Sequence, residues 1–268
     1  MVNSYHVSSY ACIDQEMNPL VSVIIPTYNR IEFLQQCIDS ILQQTYRPVE
    51  VIIADDGSTD GTKEFIRSRY EHKAVYIELP HSGLPSLARN AGIERSQGEY
   101  IAFCDSDDYW MPGKLELQLA RLKKQRCNCS CADAYIIGHQ EKTVLANHRF
   151  RFSSLEKNLL WDNFIVTSTV VLERQLLLHR QFIVSPSFPA FQDYILWLRL
   201  SQKLHIDFIS QPLAYYRRSE HTISASVHGQ EVWFQLRILF TRAAFYRHPF
   251  IFAMKLIRLV KDLLLAGT

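Results

Sequence analysis

Between Val21 and Cys104 the chain repeats one pattern: a short, mostly apolar run, a cluster of polar residues, then a stretch whose apolar residues return every three or four positions. The runs are Val21 to Ile25, Val49 to Ala54, Val75 to Leu79 and Tyr100 to Cys104. Apolar runs of this length without alternation mark strands buried on both faces. The stretches between them put residues such as Phe33, Leu34, Cys37, Ile38, Ile41 and Leu42 on one helical stripe. Strands and helices alternating at this spacing predict an α/β fold with a mostly parallel, doubly wound sheet. In such sheets ligands sit beyond the carboxyl ends of the strands, where the polar clusters of this chain fall.

The same reading predicts helices over Gly61 to Tyr70 and Leu84 to Arg95, and another over Gly113 to Gln125 with Pro112 in its first turn. Beyond it the pattern loosens into strand-like runs at Tyr135 to Ile137, Ile165 to Leu172 and Ile206 to Ile209, around a short helix from Asp193 to Gln202. Residues 1–18 read as a poorly ordered leader, 19–226 as one catalytic domain, and 227–268 as a basic amphipathic tail broken at Pro249. Residues 230–266 of that tail suit peripheral contact with an anionic membrane, and equally suit packing on the domain or on a twin subunit in a homodimer.

Charge and cysteine content narrow the classes. The 29 basic residues nearly cancel the 27 acidic ones, so nothing calls for a nucleic-acid partner. Six cysteines in 268 residues do not form a disulfide scaffold, and Cys127, Cys129 and Cys131 lack the spacing of a zinc site. The first eighteen residues carry Asp14 and Glu16 and no apolar run of signal-peptide length, while Lys255, Arg258 and Lys261 interrupt the last apolar stretch. A cytoplasmic protein, at most peripheral on the inner face of a membrane, is the expectation.

Three polar segments carry the chemistry. Asp55 and Asp56 open Asp-Asp-Gly-Ser-Thr-Asp after the second strand; the paired carboxylates suit an imide N–H, or they are solvated while Ser58, Thr59 or Asp60 caps the next helix. Asp105, Ser106, Asp107 and Asp108 follow the fourth, where carboxylates two apart converge on one hard cation, with diphosphate oxygens completing its shell. Between them Arg89 and Asn90 lie on a helix, with Arg89 in reach of a phosphate.

Together with Pro26-Thr27-Tyr28-Asn29-Arg30, Ala88 to Gly92 and Gly98 to Tyr100, these segments resemble the family 2 glycosyltransferases over roughly residues 20–125. The resemblance implies a GT-A fold, an inverting mechanism and a nucleotide-sugar donor, expected to be a UDP-sugar, with Mn2+ or Mg2+ as cofactor. It implies donor binding by Pro26, Thr27, Tyr28, Arg30, Asp55, Asp56, Arg89, Asn90, Asp105, Ser106 and Arg217, with Asp107 and His221 on the metal. Gln192-Asp193 stands where the family has Glu-Asp, which leaves Asp193 as the catalytic base toward a saccharide or lipid-linked acceptor. An inactive nucleotide-binding relative is one rival. A signalling receiver domain is another, although its acidic pair follows the first strand rather than the second.

Overall fold

The computed structural model describes residues 18–137, 143–144, 152–179, 181–186, 190–217 and 253–256. The first four strands are β1 (Val21–Thr27), β2 (Val49–Asp55), β3 (Val75–Glu78) and β4 (Tyr100–Phe103), all parallel, in the spatial order β3-β2-β1-β4. All seven residues of β1 are buried, as suits a largely apolar strand at the centre of a sheet. The register sets Thr27 beside Asp55, so the first two polar clusters leave the sheet side by side.

Helices cover both faces. α1 (Ile31–Leu42) buries Leu34, Cys37, Ile38 and Ile41, the stripe expected from its spacing. α2 (Thr62–Tyr70) and α3 (Pro85–Arg95) supply the next two crossovers. On α3, a Cβ at Gly92 would stand 2.5 Å from Cγ2 of Ile24, so only glycine lets this helix approach β1 so closely. That contact carries the helix of Arg89 and Asn90 onto the centre of the sheet.

Past β4 the sheet turns mixed. Its order continues β8-β6-β9-β5, where β5 is Tyr109–Trp110, β6 Cys129–Ile137, β8 Val171–Glu173 and β9 Ile206–Arg217; β7 (Thr143–Val144) pairs with β6. β8 is antiparallel to β4 and β6, whereas β6 and β9 run parallel over a long bulged ladder. α4 (Lys114–Gln125), α5 (Leu155–Trp161) and α6 (Gln192–Leu200) complete the described helices.

Several expectations are corrected here. The run Ile165 to Leu172 is not one strand: a 3-10 turn occupies Thr167–Thr169 and only then does β8 begin. The hydroxyls of Thr167 and Ser168 are drawn to carboxylates, which a strand would have pointed to opposite faces. α4 starts at Lys114 because Gly113 takes φ +78°, outside helical space, so Pro112 precedes the helix rather than joining its first turn. β6 begins at Cys129 and β9 extends to Arg217, both longer than their apolar runs. The thiols of Cys129 and Cys131 are buried in the sheet.

The leader and almost all of the tail lie outside the described residues. At 253–256 a helical turn is present, in which Lys255 is buried and donates to the Trp161 carbonyl while Leu256 packs on the core. Here the tail lies against α5. No helix among the described residues is long and apolar enough to cross a membrane.

Candidate active site

The loops after β1, β2 and β4 meet at one end of the sheet. Asn29, at φ +47°, donates its N–H to Ser58 Oγ and accepts from the Thr59 N–H, tying the first loop to the second. Asp60 accepts from the N–H groups of Ile31 and Thr62, so it caps the starts of α1 and α2 together.

The acidic pair divides its work. Asp55 accepts from the Ser58 N–H and hydroxyl and from the Tyr76 hydroxyl, and is buried within the turn. Asp56 accepts from the Ser82 N–H and hydroxyl and from the Gly83 N–H, each at 2.7–2.9 Å, so its oxygens are held by the loop before α3. A cleft of about 570 Å³ borders Asp56, His81, Ser82 and Asn90. Tyr28 is 40% exposed and stacks on His81, with ring centroids 4.0 Å apart. Pro26 and Thr27 are buried at the end of β1, and the Thr27 hydroxyl finds no hydrogen-bond partner among the described residues.

Arg89 is the electrostatic centre. Its guanidinium is nearly buried, bonds Asp105 at 2.6 Å and lies over the Phe182 ring. Burial works against its charge, yet Asp105, with Asp193 and Asp107 behind it, more than offsets this and raises its pKa. Its Nε has no partner among the described residues. Asn90, beside it, clamps the backbone of Phe182 at both N–H and C=O, each at 3.0 Å. That is a structural use of a residue expected on the donor.

Across the loop after β4 the three aspartates take different environments. Asp107 lies 3.7 Å from Arg30; burial and then Asp105 raise its pKa, against the pull of Arg30 and Arg217. Asp108 accepts from the Ser168 hydroxyl and the Arg217 N–H and is fully enclosed, and burial, Asp107 and Asp105 push it well above the usual carboxylate range. Ser168 also receives the Asp105 N–H, and its carbonyl receives the Trp110 indole. Arg217 further donates to the Asp107 carbonyl and to Gln36, and stacks over Phe33, so β9 closes on this loop. Ser106 is buried in the same turn.

Asp193, in the first turn of α6, is half-buried and accepts from Thr167. Burial raises its pKa, helped by Asp105 and opposed by Arg89, the Tyr194 N–H and Thr167. Phe191 just before it is held at φ +63°, a left-handed conformation that costs a bulky residue of order 1–3 kcal/mol and aims the start of α6. Gln192 accepts from the Ser86 N–H, joining the starts of α6 and α3.

The structure thus brings together Tyr28, Arg30, Asp56, Arg89, Asp105, Asp107, Arg217 and Asp193, and gives Asp55 and Asn90 internal partners. His221 lies outside the described residues. Sequence reasoning missed the Thr167–Ser168 turn and His81. A polar Thr-Ser-Thr inside an apolar run was the available signal for the turn.

For a divalent cation, the Asp105–Asp107 pair supplies hard oxygen donors whose mutual repulsion a cation would relieve. Among the described residues no group of three His, Cys, Asp or Glu is gathered tightly enough to hold a metal alone, so a ligand's oxygens would complete the shell.

An α/β sheet with its polar loops converging at one end defines the structural class. The chain belongs to glycosyl transferase family 2, whose model matches residues 22–182. It is 31% identical over 229 residues to the putative teichuronic acid biosynthesis glycosyltransferase TuaG of Bacillus subtilis, covering 82% of this chain and 88% of that protein. It is 33% identical to WfaP of Escherichia coli, a UDP-Glc:alpha-D-GlcNAc-diphosphoundecaprenol beta-1,3-glucosyltransferase, over 77% of this chain and 80% of that one. Among solved structures, S. aureus TarS 1-349 in complex with UDP-GlcNAc superposes with a TM-score of 0.65 at 21% identity, covering 77% of this chain and 60% of that chain. Mannosyltransferase PcManGT from Pyrobaculum calidifontis, in complex with GDP-Man and Mn2+, gives a TM-score of 0.62 at 18% identity, over 85% of this chain and 66% of that one. At these identities the structural likenesses establish the fold alone.

Proposed function

We propose that this chain is an inverting GT-A glycosyltransferase that moves a sugar from a nucleoside-diphosphate donor, a UDP-sugar, to an acceptor hydroxyl in cell-envelope glycan or lipid-linked saccharide synthesis. The observation that carries the reading is the gathering of Asp105, Asp107 and Asp193 around the buried Arg89. Tyr28 and Thr27, with the Asp56 loop behind them, frame the nucleotide base. Arg89 and Asp105 hold the ribose and sugar side, and Arg30 and Arg217 flank Asp107 on the diphosphate side.

In one displacement the acceptor O–H proton passes to Asp193, the acceptor oxygen bonds the anomeric carbon, and the bond to the diphosphate breaks with its electron pair leaving on the phosphate oxygen. A carboxylate whose pKa is raised by burial is a better base than an ordinary aspartate. Mn2+ or Mg2+ on Asp107 would supply Lewis-acid stabilisation of the departing diphosphate. His221 is assigned to the same cation by the family resemblance. Asp107 and Asp193 are both retained, which favours a working enzyme over an inactive relative. The UDP-sugar and undecaprenol-linked acceptor named for WfaP support a lipid-linked acceptor for this chain, while residues 253–256 of the tail pack on the domain rather than on a membrane.

The test is thermal stability against UDP, GDP and TDP with and without Mn2+, followed by Asp193→Asn. A metal-dependent shift with one nucleotide, together with loss of transfer in Asp193→Asn, is expected. Full transferase activity in that variant would refute the base assignment.

A further inference from the structure

The geometry points to His81 as a positioning residue of the nucleotide-base subsite, one that fixes the plane of Tyr28 so that the base stacks on the face of Tyr28 turned away from it. This rests on the donor reading above. No part of the acidic or arginine machinery includes His81, yet its ring lies against Tyr28 with centroids 4.0 Å apart and planes 18° from parallel. His81 covers one face of Tyr28, and Tyr28 is still 40% exposed.

His81 is itself held from both ends. Its Nδ1 lies 2.9 Å from the Asp56 carbonyl and 3.2 Å from the Asp56 carboxylate. A carbonyl only accepts, so Nδ1 carries the proton, and a neutral ring leaves Nε2 as an acceptor. The backbone under His81 is seated on Gly57, where a Cβ would meet the His81 nitrogen at 2.9 Å and φ is +79°. The neighbouring N–H groups of Ser82 and Gly83 fill Asp56. Asp56 therefore acts here through the loop it holds, and the exposed surface offered to a flat ring is the Tyr28–His81 stack. An exposed tyrosine on its own samples several rotamers and would lose that freedom on binding. One already stacked has less to lose.

The experiment is calorimetric titration of the full chain with UDP and GDP, each with Mn2+, using pyrophosphate as the base-free probe. His81→Ala is expected to weaken nucleotide binding about 3- to 10-fold, the scale of one lost aromatic pair, while leaving pyrophosphate binding unchanged. The donor KM should rise in step, with kcat within about twofold. His81→Phe, which restores the ring, should recover most of the affinity. Where His81→Ala fails to fold, His81→Gln keeps a donor for the Asp56 carbonyl, removes the ring, and must show the same loss. Nucleotide affinity unchanged in His81→Ala or His81→Gln, or an equal loss for pyrophosphate, overturns the inference. Wild-type protein that binds pyrophosphate but neither nucleotide also overturns it, whereas wild-type protein that binds none of the three overturns the donor reading itself.

Discussion

Among the described residues Lys114 buries an amine that has no hydrogen-bond partner, and replacing it by methionine should make the protein more stable. The side chain is fully buried in the first turn of α4, its Nζ sits 3.9 Å from the centre of the Trp110 ring, and it has no hydrogen-bond partner among the described residues. Burial, only weakly opposed by Cys104 and Cys131, pushes its pKa from 10.5 down to about 7. In the unfolded chain the amine keeps its proton to about pH 10. Between pH 7 and 10 the unfolded state therefore binds more protons than the folded one, and stability rises with pH. Below pH 7 both states are protonated and the penalty is complete. The pKa difference corresponds to a cost of about 4 kcal/mol at pH 7, declining by about 1.5 kcal/mol by pH 8.5. Methionine has a similar length and needs no proton, while forfeiting a ring contact worth about 1–2 kcal/mol. Lys114→Met should gain about 3 kcal/mol at pH 7, or roughly 6–12 °C in Tm. Urea unfolding of both proteins at pH 7.0 and 8.5 measures this, and the gap between them should narrow by about 1.5 kcal/mol at the higher pH. Staying at or below pH 8.5 limits ionisation of unfolded thiols, which both proteins share. A variant less stable than the parent, or a gap indifferent to pH, would refute the argument.

Asp193 is held above the ordinary aspartate range chiefly by burial, so transferase activity should fall away in acid at a pH higher than about 4; a pH–rate profile checks this. In Asp193→Asn, kcat should drop by about 10²- to 10⁴-fold while the nucleotide-induced rise in Tm persists. Asn90→Ala leaves the Phe182 N–H and C=O without their partner, and should cost about 2–3 kcal/mol in a denaturation experiment. Gly92→Ala places a methyl 2.5 Å from Ile24 and should destabilise by about 1–3 kcal/mol, with activity reduced because α3 carries Arg89.

The parallel half of the sheet was legible because its strands are mostly apolar runs, fully buried in β1, and α1 carries a clean helical stripe. The mixed half was not, because its partners lie far apart in sequence. Tyr109 and Trp110 form a strand only by pairing with Tyr215 and Ala214. α5 has seven residues, too few for its Leu155–Leu159 spacing to establish a helical period. The polar Thr167–Ser168 turn was hidden inside an apolar run, and its role shows only when Asp105, Asp108 and Asp193 come within reach of its hydroxyls.

What the sequence alone determined was therefore the order of strands and helices up to β4, with α4 beyond it, the placing of the acidic clusters at strand ends, and the identity of the carboxylates and arginines available for chemistry. These follow from local periodicity and from the exclusion of unpaired charge from a core. The division of labour among those residues was decided by tertiary structure. Asp55 and Asp56 are adjacent in the chain, yet Asp55 serves its own turn while Asp56 anchors a loop some twenty-five residues later. Asp107 stays beside Arg30 while Asp108 is enclosed by Ser168 and Arg217. A carboxylate's role depends on which donors surround it, and those donors come from parts of the chain that meet only when the sheet has formed.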